Sequence, residues 1–394
     1  MCVGLVSLSN GKVVWGAERS LLDTVAALRS RGVECRVILP RAGGVLDAEL
    51  SRLNVPFAVV DYRWWMVDHK CPVWKRWARM AHNVYASLRI ASHLSTWGCD
   101  VVYSNTLGIC AGALAARVLG LPHVWHIREF VGEDHGQEFI LGERMSLKLV
   151  DRLSAVIVTN SRAVARKFET LVDPAKLQVV HNPVRVAEPT DAQIKAVPEK
   201  TRFRLVLAGR LGEGKGQDDA IRATSELVKG GVTDVELMIV GEGTPRYRKQ
   251  LDEMVSELGV GEYVRFVGYV DNAFPMIQSG DVALMCSRME AFGRVTAEAM
   301  LAGRVVIGTN TGGTPELVRD GVTGLLYTPQ DIPALVSCIR RLMNDRVRAN
   351  EMGEAGRAWA QQYLSEATYA DRMVGVLTKA CGPRQVGEGF LVSR

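Results

Sequence analysis

The 394-residue chain lacks a long hydrophobic run and lacks closely spaced cysteines. No segment reaches roughly 18 apolar residues free of charge, which excludes a conventional membrane-spanning helix. The eight cysteines are scattered without a C-x-x-C pair, so neither a zinc site nor a disulfide framework is expected. The apolar run that follows Met1 has no basic stretch before it, so we predict a cytoplasmic protein without a secretory signal.

Acidic residues are sparse in the first half of the chain. Through Arg185 there are 23 Lys and Arg against 16 Asp and Glu, whereas the remainder has 25 against 27. The basic excess suits an anionic partner such as a membrane or a nucleic acid, although a solvated basic surface accounts for it as well.

Strand-like and helix-like stretches alternate along the whole chain in a βαβ rhythm. The strand-like stretches are nearly continuous Val, Ile and Leu runs, which is typical of parallel strands covered on both faces. The segment from Arg185 to Arg202 interrupts this rhythm with two prolines and many charges, and it predicts a domain boundary. The sequence therefore predicts an α/β protein with two tandem Rossmann-like, doubly wound domains.

The predicted division is a first domain over residues 1–184, a second over 185–365, a helix over about 366–380 that crosses back to the first, and a tail over 381–394. Doubly wound sheets bind ligands at the carboxyl ends of their strands. We therefore expect the ligand site in a cleft that the two domains face.

A glycine-rich, basic loop follows the strand-like run that begins at Phe203. It spans Gly209 to Gly216 with the sequence GRLGEGKG and precedes a helix-like stretch. Its backbone N–H groups, the helix N-terminus and the cations of Arg210 and Lys215 suit a phosphate. A P-loop would need Ser or Thr at the position of Gly216 to hold magnesium, which disfavours a nucleoside triphosphatase. A turn that uses glycine only for its shape is the structural alternative.

Two glutamates stand eight residues apart after a strand-like run that ends at Cys286. Gly293 between them predicts that Glu290 lies in a loop and that Glu298 lies on the following helix. A carboxylate on that helix could accept hydrogen bonds from ribose hydroxyls, and the N–H groups at Phe292 and Gly293 could face an anion. Two glutamates at this spacing also occur on ordinary solvated helices.

Together the two motifs resemble a known enzyme family. The pattern G-R-x-x-x-x-K-G followed by E-x7-E, in the second of two doubly wound domains, is similar to the retaining GT-B glycosyltransferases of family 4. The resemblance covers most of the chain and is strongest from Phe203 to Leu326. Further similar motifs are the turn Gly241-Glu242-Gly243 and the segment GGTPE from Gly312 to Glu316. The departures from the family pattern are Gly214, Ala291 and Arg294, the last where leucine is common.

The resemblance implies a binding site for a nucleotide-diphospho-sugar donor. Arg210 and Lys215 would hold the diphosphate. Glu298 would bind the ribose, Glu290 would contact the transferred sugar, and the turn between these two glutamates would offer backbone donors.

Two features of the first half match the family less closely. Trp15, Gly16 and Glu18 stand where the family has a Gly-Gly-x-Glu loop, so Gly16 is expected on the donor side and Trp15 and Glu18 on the acceptor side. His126 ends a strand-like run and corresponds to a histidine that the family places near the donor sugar. A strand-end histidine bonded to the backbone is the alternative. The implied catalytic residues are His126, Arg210, Lys215 and Glu290.

The sequence contains no Asp-x-Asp pair. Other glycosyltransferases use that pair to hold a divalent ion on the diphosphate, so Arg210 and Lys215 are expected to neutralise this charge without a metal. We expect no cofactor, since the nucleotide-sugar, UDP- or GDP-linked, is a substrate. Retention without an enzyme nucleophile implies same-face attack, in which the departing phosphate takes the acceptor proton.

Five of the eight tryptophans lie between Tyr62 and Trp97, together with six Lys and Arg. From Val73 onward the spacing is helical, and tryptophan with basic residues on one surface is typical of helices that lie among lipid headgroups. This predicts peripheral binding to the inner face of an anionic membrane and a glycan or lipid-linked acceptor. Packing of these tryptophans in the core is the alternative. Nucleic acid is not expected, since no known nucleic-acid-binding module surrounds the segment.

The motifs together predict a retaining glycosyltransferase that moves a sugar from a nucleotide-diphospho-sugar to an acceptor hydroxyl. Two other functions fit the same architecture. A nucleotide-sugar 2-epimerase would act on the donor alone, and a non-catalytic protein would bind the donor without turnover.

Overall fold

The computed structural model describes residues 1–8, 11, 16–130 and 137–382. Its contacts divide the chain into two units. The first comprises Met1–Asn160, Val164–Val180 and the residues from Tyr369 onward, and the second comprises Ser161–Ala163 and His181–Thr368. The long stretch of the second unit therefore begins at His181, whereas the sequence placed this boundary at residue 185. Most of the predicted tail, from residue 383, lies outside the described residues.

The first unit is built on a seven-stranded parallel sheet. The strands in this part of the chain are β1 (Cys2–Val6), β2 (Glu34–Leu39), β3 (Phe57–Val59), β4 (Met66–Asp68), β5 (Val101–Ser104), β6 (His123–Ile127), β7 (Gln137–Phe139), β8 (Val156–Thr159) and β9 (Leu177–Val179). The sheet has the order β3-β2-β1-β5-β6-β8-β9, and β4 pairs with β7 in a separate antiparallel ribbon. The helices are α1 (Gly16–Arg29), α2 (Val45–Arg52), α3 (Val73–Thr96), α4 (Ala111–Leu119), α5 (Glu143–Leu153), α6 (Arg162–Phe168) and a 3-10 helix at Pro174–Lys176.

The second unit is built on a six-stranded parallel sheet. Its strands are β10 (Phe203–Ala208), β11 (Val235–Val240), β12 (Val264–Gly268), β13 (Val282–Met285), β14 (Val305–Thr309) and β15 (Gly324–Tyr327), in the order β12-β11-β10-β13-β14-β15. The helices that follow along the chain are α7 (Asp191–Lys195), α8 (Gln217–Lys229), α9 (Pro245–Glu257), α10 (Phe274–Ser279), α11 (Arg294–Leu301), α12 (Thr314–Leu317), α13 (Ile332–Asn344), α14 (Arg346–Tyr363) and α15 (Glu366–Cys381).

Both faces of each parallel sheet are buried. In β10, Leu205 and Leu207 belong to one apolar cluster, whereas Val206 and Ala208 belong to another. Strand β1 shows the same alternation between two clusters of the first unit. Successive side chains of a strand point to opposite faces, so the nearly continuous apolar runs of the sequence arise from sheets covered on both sides. The prediction of two doubly wound α/β domains is confirmed.

Helix α15 returns to the core of the first unit. Its residues Tyr369, Met373 and Leu377 are buried in the same apolar cluster as β1 and β2. The hydroxyl of Tyr369 lies 2.8 Å from Oγ1 of Thr24 on α1, and both groups are buried.

The β4–β7 ribbon was missed by sequence reasoning, because strands of three residues are too short to show a period. It follows Trp65, which is fully buried. The Trp65 ring stacks on Trp125 at 5.7 Å between centroids and meets Phe139 edge-on at 5.2 Å. One member of the tryptophan-rich segment is therefore a core residue.

Other tryptophans of that segment lie on the surface. The side chains of Trp74 and Trp77, in the first turns of α3, are 68% and 61% exposed, while the opposite face of the helix buries Ile90 and Leu94. The prediction for residues 62–97 thus divides between core packing and surface exposure. Within the described part of the chain, no helix is both long and apolar enough to cross a membrane.

Candidate functional site

The loop between β10 and α8 uses glycine where a side chain could not fit. Gly216 has a φ of +74°, and a Cβ on it would lie 2.1 Å from the carbonyl oxygen of Cys286. Cys286 follows β13, the strand beside β10 in the sheet. The carbonyl of Gly214 accepts a hydrogen bond of 2.8 Å from the backbone N–H of Arg288. The glycine loop is therefore held backbone to backbone against the loop after β13.

The two predicted phosphate-binding cations occupy this glycine loop. Arg210 is exposed, and its carbonyl accepts a hydrogen bond of 3.1 Å from Nε2 of Gln217, the buried first residue of α8. Nζ of Lys215 lies 2.9 Å from Oε2 of Glu290, with the two side chains 42% and 21% exposed. The structure thus joins Lys215, the residue predicted to bind the diphosphate, and Glu290, the residue predicted to bind the sugar, in one ion pair.

The second glutamate lies on α11, as the intervening glycine predicts. Gly293, with a φ of +88°, immediately precedes α11, so Glu290 lies in the loop and Glu298 lies one turn into the helix. Nε of Arg294 donates to Oε1 of Glu298 at 3.1 Å, and both side chains are mostly buried. This ion pair was not anticipated, because Arg294 stands where the family commonly has leucine. Phe292 is buried, with its ring 6.1 Å from that of His181.

The segment GGTPE supports the loop that holds Glu290. A Cβ on Gly312 would lie 2.3 Å from the carbonyl oxygen of Glu290, and the N–H of Gly313 donates to the same oxygen at 2.7 Å. Only glycine permits this approach, since Gly312 also has a φ of +57°. Both glycines of the motif therefore fix the backbone of the candidate sugar-binding residue.

Glu316 closes the same segment with three hydrogen-bond partners. Its carboxylate accepts from the backbone N–H groups of Arg162 and Ala163, each at 2.8 Å, and lies 3.0 Å from Nε2 of His181. Burial raises the pKa of Glu316, but the hydrogen bonds from His181 and the two N–H groups outweigh it and hold the pKa below the ordinary 4.5. Glu316 is therefore ionised in the native protein at neutral pH.

An acidic pair at the start of α8 was also missed by sequence reasoning. Oδ2 of Asp218 lies 2.9 Å from Arg288, and Asp219 accepts from the backbone N–H of Gln330 at 3.2 Å. Burial, together with the charge of Asp218, raises the pKa of Asp219. The two consecutive aspartates, separated from Lys215-Gly216 by Gln217 alone, are the feature of the sequence that could have indicated this contact.

The predicted residues of the first half lie in the first unit. Gly16 is exposed at the start of α1, Glu18 is buried in its first turn, and Trp15 lies outside the described residues.

His126 is fully buried in β6, with Nδ1 2.6 Å from the hydroxyl of Tyr103. This partner is a side chain, whereas the structural alternative had invoked the backbone. Burial, and next the charge of Arg128, holds the pKa of His126 well below 6.5, so the ring is neutral.

Both halves of the chain match models of glycosyltransferase families. Residues 14–188 match the model described as Glycosyltransferase Family 4, and residues 189–359 match that of glycosyl transferases group 1. The GDP-mannose-dependent alpha-(1-6)-phosphatidylinositol monomannoside mannosyltransferase of Mycolicibacterium smegmatis is 32% identical, with 66% of this chain and 72% of the relative covered. The N-acetyl-alpha-D-glucosaminyl L-malate synthase of Bacillus anthracis is 30% identical, with 59% of this chain and 63% of the relative covered.

Solved structures share the same architecture. The structure of Anabaena HepE in complex with UDP has a TM-score of 0.77 at 23% identity, with 96% of this chain and 99% of that chain covered. A structure of HepE in complex with UDP-glucose has a TM-score of 0.75 at 24% identity, with the same coverage. The fold is therefore that of the GT-B glycosyltransferases. Since the sequence matches point the same way, the chain belongs to glycosyltransferase family 4, as its motifs predict.

Replacement of Glu316 by Gln should reduce stability in a pH-dependent manner. At neutral pH we expect a loss of about 1–2 kcal/mol in the free energy of unfolding, because two backbone donors and His181 lose a charged acceptor. The native pKa lies below the ordinary value of 4.5, so this contribution is fully present above about pH 4.5 and is lost as the pH falls through the native pKa. Urea unfolding of both proteins over a pH series measures the difference.

The matched control is Glu351→Gln, which alters an exposed glutamate on α14. It should change stability by less than about 0.5 kcal/mol at every pH. A difference between wild type and Glu316→Gln that stays constant below pH 4.5 would contradict the assignment of Glu316 as a carboxylate stabilised by these donors.

Proposed function

We propose that this glycosyltransferase is a retaining enzyme that moves a sugar from a nucleotide-diphospho-sugar to an acceptor hydroxyl. The observation that carries the proposal is the distance of 2.9 Å between Nζ of Lys215 and Oε2 of Glu290. A cation that suits a diphosphate and a carboxylate that suits sugar hydroxyls then stand side by side, as the two halves of such a donor require. The Mycolicibacterium relative is named as GDP-mannose-dependent, and HepE has been solved with UDP and with UDP-glucose, which supports a UDP- or GDP-linked donor.

In this proposal the donor diphosphate replaces Glu290 as the partner of Lys215. Arg210 adds a second cation from the same loop, and the N-terminus of α8 adds a favourable dipole. The bond from the sugar C1 to the phosphate oxygen breaks while the acceptor oxygen bonds to C1 on the same face. The departing phosphate oxygen takes the acceptor proton, and the two cations stabilise the negative charge that grows on it.

These cations also support a reaction without a divalent ion. The sequence has no Asp-x-Asp pair to hold such an ion on the diphosphate. We therefore propose that catalysis needs neither a metal nor a cofactor beyond the two substrates.

A donor screen in EDTA tests the proposal. UDP-, GDP-, ADP- and dTDP-sugars are added in turn, and a true donor at about 100 times its Kd should stabilise the fold by about 2.7 kcal/mol in thermal unfolding. With that donor, Lys215→Ala should lower kcat more than donor affinity, because the leaving-group charge grows at the transition state.

Three outcomes would contradict the proposal. Activity that vanishes in EDTA and returns with magnesium or manganese would show that the cations do not suffice. In product analysis with the donor alone, epimerised donor would indicate a 2-epimerase. Donor binding without transfer or hydrolysis would indicate a non-catalytic protein.

The two glutamates should affect different ligands. Glu298→Gln should weaken binding of the free nucleoside diphosphate, because Glu298 is assigned to the ribose. Glu290→Gln should leave that binding no weaker, since it removes the carboxylate that pairs with Lys215, but it should impair binding of the intact donor. Calorimetric titration of each variant with both ligands measures this, with Glu253→Gln on α9 as an exposed control. Equal effects of the two substitutions on both ligands would overturn this assignment.

We further propose that α3 binds the first unit to the inner face of an anionic membrane and so brings a lipid-linked acceptor to the enzyme. Exposed apolar residues recur along α3 at alternating spacings of three and four, in the order Trp74, Trp77, Ala81, Val84 and Leu88. This spacing places them on one stripe of the helix. The 24 residues of α3 include no acidic residue, and Nζ of Lys75 lies 5.4 Å from the centre of the Trp74 ring. Indole rings beside basic groups suit the headgroup region.

Liposome co-sedimentation tests the role of α3. The wild type should bind anionic vesicles at low salt, and the double variant Trp74→Ser, Trp77→Ser should remain folded but lose this binding, because the exposed indoles no longer insert. The control is Ile194→Ser, Val347→Ser, which removes comparably exposed apolar residues from the second unit. A wild type that ignores anionic vesicles at low salt would contradict docking and favour a soluble acceptor.

A further inference from the structure

A network of buried, hydrogen-bonded polar groups surrounds His126 in the first unit. Tyr103 at the end of β5 and His126 on β6 are both fully buried, with the phenol oxygen 2.6 Å from Nδ1 of the imidazole. Arg128, two residues after His126, donates from Nη2 to the hydroxyl of Tyr103 at 3.1 Å. It also donates from Nε to Oδ1 of Asn105 at 3.1 Å and from Nη2 to Oγ1 of Thr24 at 3.2 Å.

The donor and acceptor roles in this network follow from Arg128. A guanidinium can only donate, so the phenol oxygen of Tyr103 must act as its acceptor. Burial raises the pKa of Tyr103, so the phenol keeps its single proton. Nδ1 of His126 at 2.6 Å and Oδ1 of Asn105 at 3.4 Å can accept that proton, and the hydroxyl of Thr24 also interacts with the phenol. The nearer acceptor is favoured, and Oδ1 of Asn105 already accepts from Arg128.

The hydroxyl oxygen of Thr24 likewise acts as an acceptor for Arg128. Its hydroxyl proton goes to the carbonyl of Ser20 at 2.8 Å, so its oxygen is left to accept from Arg128 and from the hydroxyl of Tyr369, 2.8 Å away. The donor and acceptor roles of the groups around Arg128 are therefore compatible with one another. None of these hydrogen bonds requires a proton on Nδ1 of His126.

The remaining proton of the imidazole then lies on Nε2. The ring is neutral and carries one N–H, and Nδ1 is occupied as an acceptor. Nε2 is itself buried, and it has no hydrogen-bond partner within the described ranges. A buried N–H without an acceptor destabilises the unliganded protein, and a bound ligand could supply the missing acceptor.

We propose that Tyr103 and Arg128 are positioning residues that hold His126 as the Nε2–H tautomer, so that His126 meets the transferred sugar as a hydrogen-bond donor and not as a general base. The part that concerns the sugar rests on the proposed function. The part that concerns the tautomer does not, because it follows from the unliganded protein alone.

Nitrogen NMR of the unliganded full-length protein tests the tautomer directly. In protein labelled with ¹⁵N-histidine, long-range correlations distinguish a protonated from an unprotonated ring nitrogen, and the spectrum of His126→Gln identifies the signals of His126. We expect a protonated Nε2 and an unprotonated Nδ1 at neutral pH. In Tyr103→Phe, which lacks the phenol proton, we expect the Nδ1–H tautomer to become populated.

The matched control is Tyr62→Phe, which removes a different buried hydroxyl of the same unit, bonded to the carbonyl of Ser7. It should destabilise the protein without moving the signals of His126. A wild-type His126 that is protonated at Nδ1, or that keeps its tautomer in Tyr103→Phe, would overturn the proposal. The wild-type spectrum decides the tautomer even if the variant does not fold.

Kinetics with the donor found in the screen test the role of the N–H. Because Gln retains an N–H donor and Ala does not, kcat/KM of His126→Ala should fall roughly tenfold below that of His126→Gln. Equal losses in both variants would indicate a general base and overturn the donor role. A wild type with the expected tautomer but no transfer would overturn the proposed function and leave the positioning role standing.

Discussion

Close contact between glycine backbones at the carboxyl edge of the second sheet is the constraint on which the candidate site depends. Gly216 leaves no room for a Cβ beside Cys286, and Gly241 leaves none beside the carbonyl of Gly209, 2.0 Å from where that atom would lie. Each contact joins the loops of adjacent strands, so main-chain atoms fix the loops and side chains remain available for ligands. In that frame Lys215 pairs with Glu290 and Arg294 pairs with Glu298, so these four charges offset one another in the unliganded protein.

Much of the fold could be predicted because burial on both faces leaves a direct mark in the sequence. The runs at β10 and β13 are nearly all apolar, and the glycines that follow them mark where each strand turns into a helix. Gly293 likewise separated a loop glutamate from a helical one, since a residue with a φ of +88° seldom lies within a helix. These features are local, and local features are what a single sequence contains. The assigned roles of the site residues stay predictions.

The features that were missed depend on contacts distant in the sequence. Tyr103, Arg128 and Thr24 meet around His126 only after three separate elements have packed, and no spacing connects them. The prediction for the tryptophan-rich segment divided between core and surface for a related reason. Composition grouped Trp65 with Trp74, but one follows an irregular stretch into the core and the other lies on the solvent face of α3. Which face of a helix is buried is decided by its neighbours.

The return of α15 to the first unit has a consequence for the order in which the protein forms on the ribosome. The core around β1 and β2 includes Tyr369, Met373 and Leu377, so it cannot be completed until the chain has been synthesised through Leu377. The second unit, which ends at Thr368, has by then left the ribosome in full. The first unit is thus synthesised first, but its apolar core is completed last. The apolar side chains that α15 covers therefore stay exposed while the second unit is being synthesised.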